Sequence, residues 1–198
     1  MGLTISNIAM LPENVTKNYY LYILDYYNWN EPIANTLRAN FGTIAKFVSE
    51  NNSVVLQAIE HSEFNTQLMS WRSINGLESN TVLPALMITT LPPKYFFEAK
   101  VDPYFHEGIR YFHEGIKTPK DKFIFIKIGE ICKSPQDVIT LLGKIFTDIQ
   151  NKKQIKDFSI QKEIKGGSGK IINDSLILQP NFGGIGIDLK QLFDFFRK

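Results

Sequence analysis

The order of apolar patterns along the chain predicts an α/β fold. The expected architecture is a β-α-β-α-β-β-α mixed sheet with an inserted helix and a C-terminal hairpin-helix extension. Three observations carry this expectation. An aromatic and β-branched run at residues 19–26 reads as a buried strand. Apolar residues spaced by four and three follow it, and a second apolar run at 54–59 follows them, which together make a strand-helix-strand unit with parallel strands. A proline opens the third apolar run, at residues 82–89.

In the first strand, Tyr19, Tyr20, Tyr22 and Tyr26 interleave with Leu21, Ile23 and Leu24. Asn28 is a capping residue and Pro32 suits a first helical turn. Ile33, Leu37, Phe41, Ile44 and Val48 then line one face of an amphipathic helix, which Asn51, Asn52 and Ser53 bring to an end. Ser62 caps a shorter helix with Phe64, Leu68 and Trp71, closed near Asn75 and Gly76. Residues 122–128 form the fourth strand, and Ser134-Pro135 starts a helix with Val138, Leu141, Leu142, Ile145 and Ile149 inward. After a Lys-rich link, 158–164 and 171–178 read as a hairpin around Gly166-Gly167-Ser168-Gly169, and Asp188 caps a last helix over 189–196. The chain thus divides into a domain over 1–154, with an insertion at 91–121, and a hairpin and helix over 155–198 packed on the same domain.

The 198 residues suit one domain, and 43% hydrophobic against 21% charged residues excludes disordered and collagen-like architectures. Fifteen Phe and eight Tyr supply a core without staples. A formal net charge of +2 gives no field that attracts nucleic acid. Cys132 is the only cysteine, which rules out an internal disulfide, a cysteine-cluster zinc site and a CxxC pair. No cofactor and no metal are expected. The first residues lack a signal-peptide pattern, and no apolar run reaches the ~20 residues of a spanning helix, so the expected location is cytoplasmic with no membrane partner. Gly2 and Ser6 fit the myristoylation pattern M-G-x-x-x-[ST], which is short enough that we read it as accidental.

After the first strand the chain reads Trp29-Asn30-Glu31-Pro32-Ile33, and the third strand is opened by Leu83-Pro84-Ala85. With the element order, these residues make the segment 19–150 resemble the thioredoxin-like fold superfamily. Members carry W-C-G-P-C at the start of the first long helix and a cis-proline before the third core strand. Here the tryptophan and the proline are retained, and Asn30 and Ile33 stand where the two cysteines would be. Thiol–disulfide exchange needs an attacking thiolate and a second sulfur, so the resemblance implies a redox-inactive member with no catalytic residues. It also implies a groove for a protein or peptide partner, lined by Trp29, Asn30, Leu83 and Pro84.

The insertion departs from that family. It contains a tandem duplication, Tyr104-Phe105-His106-Glu107-Gly108-Ile109-Arg110 followed by Tyr111-Phe112-His113-Glu114-Gly115-Ile116-Lys117. Read as a helix from Pro103 to Lys117, it aligns Phe105, Ile109, Phe112 and Ile116 in one apolar stripe, which makes Phe105 and Phe112 further docking candidates. His106 and His113 would lie about 10 Å apart along such a helix, too far to share one zinc ion with ligands at about 2 Å.

Other motifs fall short of chemistry. Lys165 to Lys170 resembles a phosphate loop, but Ile164 and Ile171 occupy positions that need Gly and Ser or Thr. The Gly183 to Asp188 turn leads into a helix and departs from G-x-G-x-x-G at Leu189. No G-x-S-x-G and no paired catalytic carboxylates are present in a recognisable setting. The expected function is therefore a non-catalytic protein-binding module within a larger assembly. The alternatives are a hydrolase or other enzyme assembled around His106 and His113, and a small-anion or nucleotide sensor using Gly183 to Asp188.

Overall fold

The computed structural model describes residues 1–7, 10–11, 16–25, 32–60, 62, 64–69, 83–93, 100–101, 111–112 and 123–160. Its strands are β1 (Gly2–Ile5), β2 (Tyr20–Leu24), β3 (Val54–Ala58), β4 (Ala85–Thr89), β5 (Lys100–Val101), β6 (Tyr111–Phe112) and β7 (Phe123–Lys127). The helices are α1 (Pro32–Ala39), α2 (Phe41–Glu50), α3 (Phe64–Met69), α4 (Ile128–Ile131) and α5 (Pro135–Gln150).

Five strands form one mixed sheet in the order β1-β3-β2-β4-β7. β1 and β2 both run parallel to β3, whereas β4 runs antiparallel to β2 and β7 antiparallel to β4. β2 is central and every residue in it is buried, as a strand covered on both faces requires. Its period of two divides the core. Leu21 and Ile23 face one layer with Val55, Leu86, Ile88, Ile124 and Ile126, beneath α1, α2 and α5. Tyr20, Tyr22 and Leu24 face the other with Leu56, Met87 and Phe125, beneath Phe64 and Leu68 of α3.

The amphipathic segment after β2 is two helices rather than one. Asn40 separates α1 from α2, and its side-chain amide donates to Thr36 O at 2.8 Å, a local bond that competes with the helical ladder. α5 matches its expected start: Ser134 and Asp137 form a reciprocal capping box with Pro135 in the first turn. Val138, Leu141, Leu142, Ile145 and Ile149 are all buried.

β1 has no counterpart among the sequence expectations. Gly2 is the reason it fits: a Cβ there would lie 2.4 Å from Ala45 Cβ, so only glycine lets this edge strand approach α2 so closely. The myristoylation-like glycine is therefore a packing residue in β1.

Two expectations are corrected. The inserted helix over 103–117 is not formed at its centre, because Tyr111–Phe112 is a strand paired antiparallel with Lys100–Val101. Phe112 therefore cannot belong to a continuous helical stripe. Tyr and Phe favour strands, and Gly108 and Gly115 each cost a helix about 1 kcal/mol. The second correction lies after α5, where Ser159 and Ile160 are helical rather than the start of a hairpin strand. The Asp148 carboxylate accepts from Ser159 N at 2.6 Å and from Ser159 Oγ at 2.9 Å, satisfying a donor that a helix start leaves open. The rest of the proposed hairpin and last helix lies outside the described residues.

Candidate functional site

The β-sheet registers bring several chemistry-bearing residues to one end of the sheet. Leu24 pairs with Ala85, and Ala85 with Lys127, so these three form the last row across β2, β4 and β7. Asp25 follows Leu24 and Pro84 precedes Ala85, which places both just beyond that row. Ile128 N donates to Pro84 O at 2.9 Å, tying the start of α4 to the proline. The Leu83–Pro84 peptide bond is cis, as the resemblance implies. A Cβ added at half-buried Gly129 would meet Pro84 Cδ at 3.6 Å, an ordinary contact, so α4 runs directly over the proline ring.

Leu83 is only 6% exposed and Pro84 is buried. Their side chains back this end of the sheet instead of presenting area to a partner. Among the described residues, half-buried Gly129 packs on Pro84 and exposed Glu130 follows it.

Two ion pairs flank the proline. Asp25, buried at the end of β2, meets Arg38 of α1, with Nη1 to Oδ2 at 2.9 Å. Arg38 also donates to Asn35 Oδ1 at 2.5 Å, and Asn65 Nδ2 of α3 donates to Asp25 O at 2.6 Å. This chain of bonds crosslinks α1, the end of β2 and α3. On the other side, Lys127 Nζ lies 3.0 Å from Glu130 Oε1. The Lys127 side chain is 9% exposed and that of Glu130 is 44% exposed.

Cys132 is fully buried in the α5-covered layer. Burial pushes its thiol up to about 12, with the nearby Asp137 carboxylate adding to the rise and Lys133 opposing it. A thiol held there supplies no thiolate near neutral pH, so the one sulfur nucleophile of the chain is chemically silent. Among the described residues no group of three or more His, Cys, Asp or Glu is placed to hold a metal ion. Among them, too, no helix is long and apolar enough to cross a membrane.

Of the sequence-derived site residues, Leu83 and Pro84 fall at this sheet end, and Phe112 lies in β6. Trp29, Asn30, Phe105, His106, His113 and the Gly183 to Asp188 turn lie outside the described residues. Asp25, Lys127, Gly129 and Glu130 were not singled out from the sequence. Their signal was weak: a charged residue directly after a fully apolar strand, once at Asp25 and once, as the last strand residue, at Lys127. Only the register shows that the two belong to one edge.

No protein-family model, curated protein or solved structure matches this chain.

Proposed function

We propose that this chain is a redox-inactive, thioredoxin-like module that binds a protein or peptide segment at the sheet end where Gly129 and Glu130 stand over the buried Leu83 and Pro84. The observation that carries the reading is the convergence of the end of β2, Leu83–Pro84 and the start of α4 on one edge. The only thiol of the chain, at the end of α4, is sealed in the core. Ligands of open α/β sheets collect at such strand ends, where loops rather than ladders set the surface. The run β2-α1/α2-β3-α3-β4-β7-α5 also follows the order that the resemblance implies, which supports the same reading. With the thiol route closed, recognition is what this edge has left to offer.

The test is selection of a displayed random-peptide library on the immobilised protein. Enriched peptides should bind the wild type and Lys46→Ala, an exposed position on α2, equally well. Trp29→Ala should weaken them by about tenfold or more, as loss of an aromatic anchor does. Enrichment indifferent to Trp29 would move the binding surface elsewhere, and a folded protein that enriches no peptide would end the proposal.

A further inference from the structure

We propose that Lys127 recognises an Asp or Glu side chain on the bound segment, and that Glu130 is a placeholder which this carboxylate displaces. The inference rests on the peptide-binding reading above and names the chemistry of the partner. Lys127 stands two residues beyond Phe125 on β7, hence on the same face of the sheet, in the row that Leu24 and Ala85 complete. Its stem is therefore held by the core. An ammonium has three donors, and here Lys127 Nζ donates to Glu130 Oε1 at 3.0 Å. A cation buried this deeply needs a paired anion.

The pair is asymmetric. With its side chain 44% exposed, Glu130 can swing into water as the incoming carboxylate takes its place, so that Lys127 stays paired throughout. Lys127, at 9%, cannot leave without breaking the packed row. A fixed cation paired with a releasable anion is what a displaceable recognition site requires. The surroundings favour an anionic occupant: Lys133 Nζ donates to Gly129 O at 3.3 Å, so a second cation stands beside the same turn, while Asp25 and Arg38 neutralise each other. Gly129 packs on Pro84 and follows Lys127 by two residues, so a segment that reaches this turn comes near both.

The test pans wild type, Lys127→Met and Glu130→Gln against the displayed random-peptide library, then measures the enriched peptides in acidic and amide forms. On the wild type, one position should enrich Asp or Glu, and its conversion to Asn or Gln should weaken binding by about tenfold. Lys127→Met should bind both forms alike. Glu130→Gln should bind the acidic form about threefold more tightly, because its competitor is gone. A purely structural salt bridge would make both variants weaken binding together, and that result overturns the inference. Peptides that depend on Trp29 but carry no preferred acid overturn it too, leaving the peptide-binding reading in place. A folded wild type that enriches nothing overturns both. If thermal unfolding shows that Lys127→Met does not fold, the acid-to-amide swap on the wild type and the sign of the Glu130→Gln effect decide.

Discussion

Gly2 shows how much one missing atom can matter. With a Cβ only 2.4 Å from Ala45 Cβ, Gly2→Ala forces β1 off α2, and overpacking of this kind costs about 1–3 kcal/mol. Urea unfolding should show that loss, and Ala45→Gly should recover part of it in the double variant despite its own helix penalty of about 1 kcal/mol. A Gly2→Ala protein as stable as wild type would mean that the strand is not packed as described. Cys132 makes the opposite point, because an atom that is present can be chemically absent. With its thiol near 12, about one part in ten thousand is thiolate at pH 8. Native protein should therefore stay unlabelled by a thiol reagent over the time in which urea-unfolded protein reacts completely. Rapid labelling of the native state would contradict the burial.

The helix α5 owes its start to Ser134 and Asp137. The Asp137 carboxylate accepts from the Lys133 and Ser134 backbone N–H groups at 2.9 Å each, while Ser134 Oγ accepts from Asp137 N. Those bonds, that of Lys133 first, hold the Asp137 carboxyl below its ordinary value, and its slight burial opposes them. The sign follows from linkage. A carboxyl lowered in the folded state stabilises the fold above its unfolded value near 4, and loses that contribution as pH falls through the folded one. Ser134→Ala should cost about 1 kcal/mol at pH 7. Asp137→Asn should destabilise at pH 7 and much less near pH 2, as read by thermal unfolding across pH. An Asp137→Asn penalty that is the same at both pH values would show that the charge plays no part in the cap. In β5 and β6 the balance of local preferences ran the other way: the Tyr-Phe dipeptide and its neighbouring glycines gave the strand the advantage over a helix whose spacing alone had looked sound.

The whole molecule is closed after α5 by a buried carboxylate. Asp148 is fully buried and holds Lys153 Nζ at 2.6 Å together with the backbone and hydroxyl of Ser159. Tyr19 OH reaches across from the start of β2 to Lys153 O at 2.6 Å, and its ring meets Phe158 edge-on at 5.6 Å. This clasp seats Ile155, Phe158 and Ile160 in the layer beneath α5. Asp148→Ala strips the acceptor from three donors at once and should cost about 3 kcal/mol in urea unfolding. Deleting residues 155–198 should remove cooperative unfolding altogether, since three core side chains go with them. A truncated chain that unfolds cooperatively at unchanged stability would show that the segment is dispensable.

Local pattern alone determined β2, β3, β4 and β7 of the main sheet, helix α5 and its cap, but not the break at Asn40 or the short helix α4 that begins at Ile128. Each of the elements so determined follows from side-chain period, capping chemistry or proline geometry within a few residues, and such signals are short-range. The absence of a cysteine pair was equally legible, because the sequence carries a single cysteine. Tertiary structure decided the rest. β1 is a strand because α2 leaves room for Gly2, and Asp148 is a clasp because Ser159 returns to it across a turn. Asp25, Pro84, Lys127 and Gly129 are scattered over more than a hundred positions, and they form one edge only because β2, β4 and β7 pair in a particular register. Register is set by the packing of whole strands against one another, and no window of sequence contains that information.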